Sequence, residues 1–201
     1  KALNFKLSLS TQLKGESFTE NDVLILDGIC PSDEQDNLEL LNRCEFYPEE
    51  KELHGMSFRA SVKVISDGKV SYSKNYITVE NASKAYIFFT TENSFNGFDK
   101  HPALEGKEYK NACLKMLESV SAVDYKTLKK SHTDDFTALF SRVSLDLGTD
   151  NKGDVPTNKR LIKHDKGAKD IALYTLIFNF GRYLIVSGSR KGTQATNLQG
   201  I

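Results

Sequence analysis

The spacing of apolar residues changes once along this chain, close to Asp99. Before that point apolar and polar residues alternate in short runs, which is the period of a half-buried β-strand. Beyond it apolar residues recur at three- and four-residue spacing, which is the period of an amphipathic α-helix. The sequence therefore predicts an α+β fold, with an antiparallel β-sandwich segment followed by helices.

Short runs with the strand period are separated by turn signals, and they cover residues 3–9, 23–26, 56–64, 70–72, 76–79 and 85–91. The segment Ser66–Lys69 contains the Asp-Gly pair of a two-residue turn, so we interpret it as a β-hairpin. Residues 85–91 are apolar on both faces, which predicts a central strand. We expect the apolar faces of residues 3–9 and 56–64 to share one core. The opposite, solvent-facing side of the second run then carries Arg59, Ser61 and Lys63.

The second part of the chain predicts helices over residues 102–120, 124–141 and 170–187, a short helix from Thr157, and a strand over Ser144–Gly148. The last helix is apolar on all sides but is interrupted by Asn179, Gly181 and Arg182. A membrane span needs about 20 apolar residues, so we predict none here. A helix of this kind is normally buried in a larger protein, which indicates that the chain is an excised segment.

Composition excludes two classes of protein. The 201 residues include 27 Lys+Arg and 27 Asp+Glu, so the formal net charge is zero. Nucleic acid is therefore not expected as a partner, because phosphate binding needs a basic surplus. The hydrophobic share of 39% is that of a globular chain and not of a disordered one. A bridge between Cys30 and Cys44 is possible, and Cys113 is then unpaired.

The residue types that usually carry chemistry do not form a recognisable active site. The four histidines lie far apart in the sequence without HxH or HxxxH spacing, so no zinc site is expected. Asp134 and Asp135 are adjacent on a predicted helix, where neighbouring side chains point apart. No nucleophile elbow or metal motif is present, and the sequence predicts no catalytic residue within the chain.

Five segments nevertheless resemble one enzyme family. Phe178–Ile201, with the run Gly-Arg-Tyr-Leu-Ile-Val-Ser and the ending Asn-Leu-Gln-Gly-Ile, is similar to a conserved stretch of glycoside hydrolase family 95, the α-L-fucosidases. The other four segments follow the family's order along the chain: His54–Phe58, Thr91–Leu104, Phe140–Gly148 and Val155–Leu161. The resemblance therefore covers essentially the whole chain.

The resemblance implies three parts. Residues 1–100 correspond to the later half of an N-terminal β-sandwich, residues 101–148 to a helical linker with a returning strand, and residues 149–201 to a loop and the first helix of a truncated (α/α)6 barrel. The implied reaction is inverting hydrolysis of terminal α-1,2-linked L-fucose from fucosylated oligosaccharides, without a metal or organic cofactor. The family's catalytic groups lie beyond Ile201, so the chain alone is expected to be inactive. The substrate class suggests an extracytoplasmic location.

Within this chain the candidate substrate-binding residues follow the last helix: Thr193, Gln194, Asn197 and Gln199. Their amides and hydroxyls can contact sugar, or they can bond the backbone and shape the loop. Arg182 and Arg190 are expected to form structural ion pairs. We expect residues 171–186 to be covered by the remainder of the same polypeptide or by self-association. Two alternatives stay open: a non-catalytic carbohydrate-binding sandwich, and a related enzyme such as an α-L-galactosidase or a disaccharide phosphorylase.

Overall fold

The computed structural model describes residues 2–32, 47–148, 154–193, 195 and 196. The chain divides into two compact units, residues 1–124 and residues 125–201, which we call the sheet unit and the helical unit. In the described part of the chain, seven β-strands precede four α-helices. This order confirms the α+β class that the change of period predicts.

Two antiparallel sheets form the sheet unit. The larger has four strands in the spatial order β2 (Lys14–Glu20), β3 (Val23–Ile29), β4 (Ser57–Ser66) and β7 (Ala85–Asn93). The smaller has three strands in the order β1 (Leu3–Ser8), β6 (Tyr76–Ala82) and β5 (Lys69–Ser73). The sequence pattern does not predict β2, because this edge strand is mostly polar and none of its residues is fully buried.

The apolar core lies between the two sheets. It is a cluster of buried side chains from both: Leu24, Val62, Val64, Ile77, Val79 and Ala82. Phe5, Leu7 and Leu9 from the start of the chain pack against this cluster. The expectation that residues 3–9 and 56–64 share one core is therefore confirmed for these side chains.

Helix α1 (Tyr109–Ser121) covers the other face of the four-stranded sheet. Its Leu117 packs against Val23 and Ile25 in a second apolar cluster. Ser61 and Arg59 are buried on this side, at 0% and 7% exposure. The expectation that they face solvent is wrong, because a helix distant in sequence adds a third layer that strand alternation does not reveal.

The predicted start of α1 at residue 102 is also wrong, since the helix begins seven residues later. The Glu108 side chain accepts hydrogen bonds from the backbone N–H groups of Lys110 (3.2 Å) and Asn111 (3.4 Å), which caps the first turn. Pro102 lies instead in a turn ahead of the helix. A proline fits an ordinary turn as well as a first helical turn, so its presence did not decide between them.

A charged cluster joins β3, β4 and α1 beneath this helix. The Asp27 carboxylate receives two hydrogen bonds from the Arg59 guanidinium, at 2.6 and 2.7 Å, and lies 3.1 Å from Lys110 Nζ. Burial by itself raises the pKa of Asp27, but the hydrogen bonds from Arg59 and Lys110 outweigh it and hold this pKa below its ordinary value of 3.8. Asp27 therefore stays ionised in the folded protein and neutralises a buried arginine.

The segment Ser66–Lys69 is a corner between the sheets and not the hairpin that its Asp-Gly pair predicts. The strand before it, β4, pairs with β7, whereas the strand after it, β5, pairs with β6. Asp67 accepts hydrogen bonds from the backbone N–H groups of Ser83 and Lys84, both at 2.9 Å. Gly68 passes so close to the β6 backbone that a Cβ there would clash with Glu80 O and Ala82 N. An Asp-Gly pair, which is typical of a hairpin turn, here forms a turn that connects the two sheets.

Strand β7 lies at the edge of its sheet, so its prediction as a central strand is wrong. Its Phe89 and Ile87 pair with Val62 and Val64 and share their inward face, yet they are 58% and 51% exposed. At the other side of the sandwich, Thr19 of β2 donates hydrogen bonds from N to Lys74 O (3.0 Å) and from Oγ1 to Ser73 O (2.6 Å). The sandwich is therefore closed at β2 and leaves apolar side chains uncovered at β7.

Helices α2 (Tyr125–Phe140), α3 (Thr157–Asp165) and α4 (Ile171–Gly188) form the helical unit. Their bounds confirm the predicted helices to within one residue. Phe136 of α2 places its ring centroid 5.9 Å from that of Tyr183 of α4. Ser144–Gly148 is not a strand, which corrects the prediction. The Gly148 N–H bonds Asp146 Oδ1 at 2.8 Å, so a local turn replaces the pairing partner that a strand requires.

Candidate functional site

The predicted sugar-contacting residues lie after the C-terminal end of α4. Thr193 lies in a turn within the described residues, whereas Gln194, Asn197 and Gln199 lie outside them. The described part of this segment comprises residues 189–193, 195 and 196. We call it the α4 loop.

The Thr193 hydroxyl helps to close the α4 loop. Its Oγ1 donates to Arg190 O at 2.8 Å and accepts from Arg190 N at 3.1 Å, and its own N–H donates to the same carbonyl at 3.0 Å. A threonine hydroxyl that bonds the backbone three residues earlier stabilises a turn. These contacts favour the loop-shaping role of Thr193 over direct sugar binding.

A second set of hydrogen bonds ties the loop to the end of the helix. Ser189 Oγ lies 3.0 Å from Thr196 Oγ1 and accepts from Thr196 N at 2.9 Å. Gly188 packs so closely against Thr196 that a Cβ at this position would clash with Thr196 Oγ1. The sequence analysis missed Ser189 and Thr196, although the Gly-Ser pair after an apolar helix is a helix-end signal that could have indicated them.

Two arginines connect α4 and the loop after it to α2: Arg182 lies within the helix, and Arg190 follows its C-terminal end. The Arg190 guanidinium forms an ion pair with Asp135, which confirms its predicted structural role. Arg182 donates instead to the backbone carbonyl of Phe140 and to Asn179 Oδ1 (3.0 Å), and its guanidinium lies 4.2 Å from the Phe140 ring centroid. Arg182 is therefore structural through hydrogen bonds and ring stacking and not through the predicted ion pair.

The position of Arg182 also bears on whether α4 crosses a membrane. The helix is long and apolar enough to cross a membrane by the criteria of length and composition. Its arginine, however, is engaged with α2 near the middle of the helix. That contact supports the prediction that the helix is not a membrane span, which stays a prediction.

The start of α4 is held by a buried ion pair that the sequence analysis did not identify. Arg160 of α3 donates from Nε and Nη2 to the Asp170 carboxylate, at 2.9 and 2.7 Å, and both residues are at most 6% exposed. Asp170 Oδ1 also accepts from the Leu173 N–H at 2.9 Å and caps the helix. A single carboxylate thus joins α3 to α4 and sets where α4 begins.

Residues that could hold a metal do not converge. Within the described ranges, no group of three or more His, Cys, Asp or Glu side chains is placed to bind an ion. His164 pairs with the Tyr174 hydroxyl at 2.9 Å. Cys30 and Cys113 carry free thiols, and Cys44 lies outside the described residues. The described residues around the α4 loop therefore hold this loop in place by hydrogen bonds.

Comparison with known proteins finds similarity to one enzyme family. Residues 124–201 match the glycosyl hydrolase family 95 catalytic domain. The chain is 29% identical over its whole length to Alpha-L-fucosidase 2 of Arabidopsis thaliana, of which it covers 25%. It is 26% identical, over 80% of its length, to Probable alpha-fucosidase A of Aspergillus niger, of which it covers 21%. The chain thus spans about a quarter or less of the length of these relatives, and it is similar to the glycoside hydrolases of family 95.

Proposed function

We propose that this chain is the scaffold segment of a glycoside hydrolase that removes terminal α-1,2-linked L-fucose from oligosaccharides with inversion. The observation that carries the proposal is the match of residues 124–201 to the family 95 catalytic domain. The names of the two fucosidase relatives support the substrate class. In the proposed domain division, residues 1–100 are sandwich, residues 101–148 are linker, and residues 149–201 begin the barrel.

Inverting hydrolysis needs two carboxyl groups about 6.5–9.5 Å apart, one as general acid and one as general base. In the described part of the chain, the buried carboxylate Asp170 and the half-buried carboxylate Asp27 are both engaged by cations. Asp27 is held by Arg59 and Lys110, and Asp170 is held by Arg160. A general acid needs a raised pKa, and an adjacent cation acts in the opposite direction. As the family resemblance implies, we propose that the catalytic carboxylates belong to polypeptide outside residues 1–201.

The part that this chain plays is to direct the α4 loop. The Asp170 cap sets the start of α4, and the two clamps formed by Thr193 with Arg190 and by Ser189 with Thr196 set the direction in which the chain leaves it. Gln194 lies between the two clamp residues Thr193 and Thr196 in the sequence, Asn197 and Gln199 follow them, and these three remain our proposed sugar-contacting residues. Precise placement of such groups governs rate, because small displacements of contacting residues cost orders of magnitude in turnover.

Two assays test the proposal. The isolated chain should release no fucose from 2′-fucosyllactose. A chimera in which the chain replaces the aligned quarter of the Arabidopsis relative should release it, with β-L-fucose as the first product by NMR. Fucose release by the isolated chain would contradict the assignment of the catalytic carboxylates. A folded chimera without activity would contradict the scaffold role.

A further inference from the structure

A cleft of about 470 Å³ lies at one end of the four-stranded sheet. Three segments line it: residues 30–32 after β3, residues 52–56 before β4 and residues 95–102 after β7. The sheet register brings them together, since Ile29 pairs with Ser57 and Asn93 pairs with Phe58. Two of the five family-like motifs, distant in sequence, therefore meet at one site, which we call the Phe98 cleft.

The loop after β7 is held in one conformation by its own hydrogen bonds. The Ser94 N–H donates to Ser57 O at 2.8 Å, and the Lys107 N–H donates to Ser94 O at 3.2 Å, which closes the loop. Across the loop, Asn96 Nδ2 donates to Glu105 O at 2.7 Å. A surface loop whose ends meet and whose interior is bonded in this way is an Ω-loop, a class that frequently carries function.

Phe98 is presented to solvent by this ordered loop. Phe98 is 97% exposed. The preceding residue, Gly97, has a φ of 117°, which glycine adopts readily and which would strain other residues. A phenylalanine at this exposure adds nothing to the packing of the sheet unit, and it leaves its apolar surface in water. Phe95, 40% exposed, lines the same cleft. The two rings offer faces for stacking and are already in place.

The other side chains that line the cleft supply hydrogen-bonding groups, and their positive and negative charges nearly cancel. His101 Nδ1 accepts from the N–H groups of Ala103 (3.2 Å) and Leu104 (3.3 Å), so the ring is fixed and its proton is on Nε2. His54 and Glu52 add further polar groups. The cation of the cleft, Lys100, is paired with Glu105 at 3.4 Å. Paired charge disfavours a phosphate or acidic ligand, which would need free cations.

We propose that the Phe98 cleft binds the pyranose ring of a neutral saccharide, with Phe98 stacking on its C–H face. The electron-rich face of an aromatic ring attracts the positively polarised hydrogens of that face. Histidine, carboxylate and hydroxyl groups suit sugar hydroxyls, which both donate and accept. A volume of 470 Å³ is within the range of small-molecule sites, about 300–1,000 Å³. The choice of sugar rests on the proposed function, whereas the binding itself needs no catalysis.

The chain contains no tryptophan, so Phe98→Trp introduces a unique fluorescent reporter. In the 201-residue chain, titration with 2′-fucosyllactose, lactose and L-fucose should change its emission saturably in the millimolar range with at least one sugar. The matched control is Phe89→Trp, at an exposed phenylalanine of β7 outside the cleft lining, which should not respond. In NMR titrations, Phe98→Ala should weaken sugar-dependent shifts of the His54 and His101 rings at least tenfold, and Phe89→Ala should not.

The absence of a saturable response to all three sugars would overturn the proposal, and so would equal responses of the two tryptophans. A protein surface is the competing occupant. In the folded chimera, whether or not it releases fucose, hydroxyl-radical labelling of Phe98 should be rapid without sugar and slowed by it. Slow labelling of Phe98 without sugar would show that protein covers the ring, which also overturns the proposal. Neither result depends on fucose release, so failure of the cleft and failure of the proposed function are distinguishable.

Discussion

The sheet unit and the helical unit differ in what they bury. The sheet unit encloses two apolar clusters, one between its sheets and one under α1. In the described part of the helical unit, Leu173 is the one apolar side chain that is fully buried, and it lies beside the buried pair of Arg160 and Asp170. Many apolar side chains of α4 remain exposed: Leu176, Ile177, Phe178, Phe180, Leu184 and Ile185.

This contrast teaches that the two units depend on different interactions. Burial of apolar surface is the main favourable term in folding, at about 25 cal/mol per Å². The sheet unit obtains it from its own residues and can be expected to fold as an independent body. The helical unit orients its helices mainly through a buried ion pair and backbone clamps, and it leaves its apolar surface available to other polypeptide. Four variants, three with a single substitution and one with three, sharpen or break this comparison.

The largest effect is expected for Val62→Asp in the sheet unit. Val62 is 2% exposed in the core, so an aspartate there is an unpaired buried charge and should lower the free energy of unfolding by more than about 4 kcal/mol. Phe89→Asp is the matched control, because Phe89 pairs with Val62 on the same face but is 58% exposed. Urea denaturation followed by circular dichroism measures both. Equal losses would show that the inward face at β7 is as buried as that at β4.

The next effect concerns the ion pair of the helical unit. Asp170→Asn removes the negative charge that Arg160 contacts at 2.7 and 2.9 Å and weakens the cap of α4, which should cost about 3 kcal/mol. Amide hydrogen exchange along residues 171–188 should accelerate accordingly, while exchange in β3 and β4 stays unchanged. The matched control is Asp135→Asn at the more exposed Arg190 pair, where about 0.5 kcal/mol is expected. Wild-type exchange rates along residues 171–188 in Asp170→Asn would contradict a central role for Asp170.

A smaller and pH-dependent effect is expected for Asp27→Asn. The folded-state pKa of Asp27 is lowered, so its ionised form contributes stability that is present above the unfolded pKa of about 3.9 and is lost as pH falls through the lower folded value. The variant should be about 2 kcal/mol less stable at pH 7, because Arg59 and Lys110 lose their counter-charge. The difference from wild type should shrink below about pH 4. A difference in melting temperature that is constant from pH 7 to pH 3 would exclude the ion pair as its cause.

Sequence reasoning succeeded where one local pattern determines the outcome. The alternation of Phe5 and Leu7, and of Val62 and Val64, indicates a shared core, and the helical period gives the bounds of α2 and α4 to within one residue. The family motifs also identify the relationship to family 95. These signals are local, because the apolar face of a strand or helix is predicted from residues that are close together in the sequence.

Several of the errors involve partners that are distant in sequence. Arg59 and Ser61 alternate like solvent-facing residues, but α1 covers them. The Asp67-Gly68 turn suits a hairpin as well as a corner, and the pairing of β4 with β7 decides between them. In the α4 loop, Thr193 was identified but Ser189 and Thr196 were not, since their bond across seven residues has no periodic signal. Long-range pairing is what the pattern of a single sequence does not contain.

The smallest change in stability, and the sharpest test of the helical unit, concerns its exposed apolar stripe. Ile177, Phe180 and Leu184 follow one face of α4 at three- and four-residue spacing, and each is 49–58% exposed. Large contiguous apolar patches are rare on monomers, so we expect the isolated chain to self-associate through residues 171–186, where in our proposal the remainder of the polypeptide otherwise binds. The triple change Ile177→Gln, Phe180→Gln and Leu184→Gln retains helix-forming residues and should alter stability by less than about 0.5 kcal/mol per site.

Light scattering coupled to size-exclusion chromatography measures the outcome. The measured mass of the wild type should rise with concentration. The triple variant should elute as a monomer, close to the 22.5 kDa of the wild-type chain. Leu161→Gln with Ile162→Gln on α3 is the matched control, because these residues are 48% and 57% exposed but lie outside α4. This control should associate like the wild type. A wild-type chain that stays monomeric at all concentrations would show that α4 needs no cover, and the contrast between a self-sufficient sheet unit and a dependent helical unit would then fail.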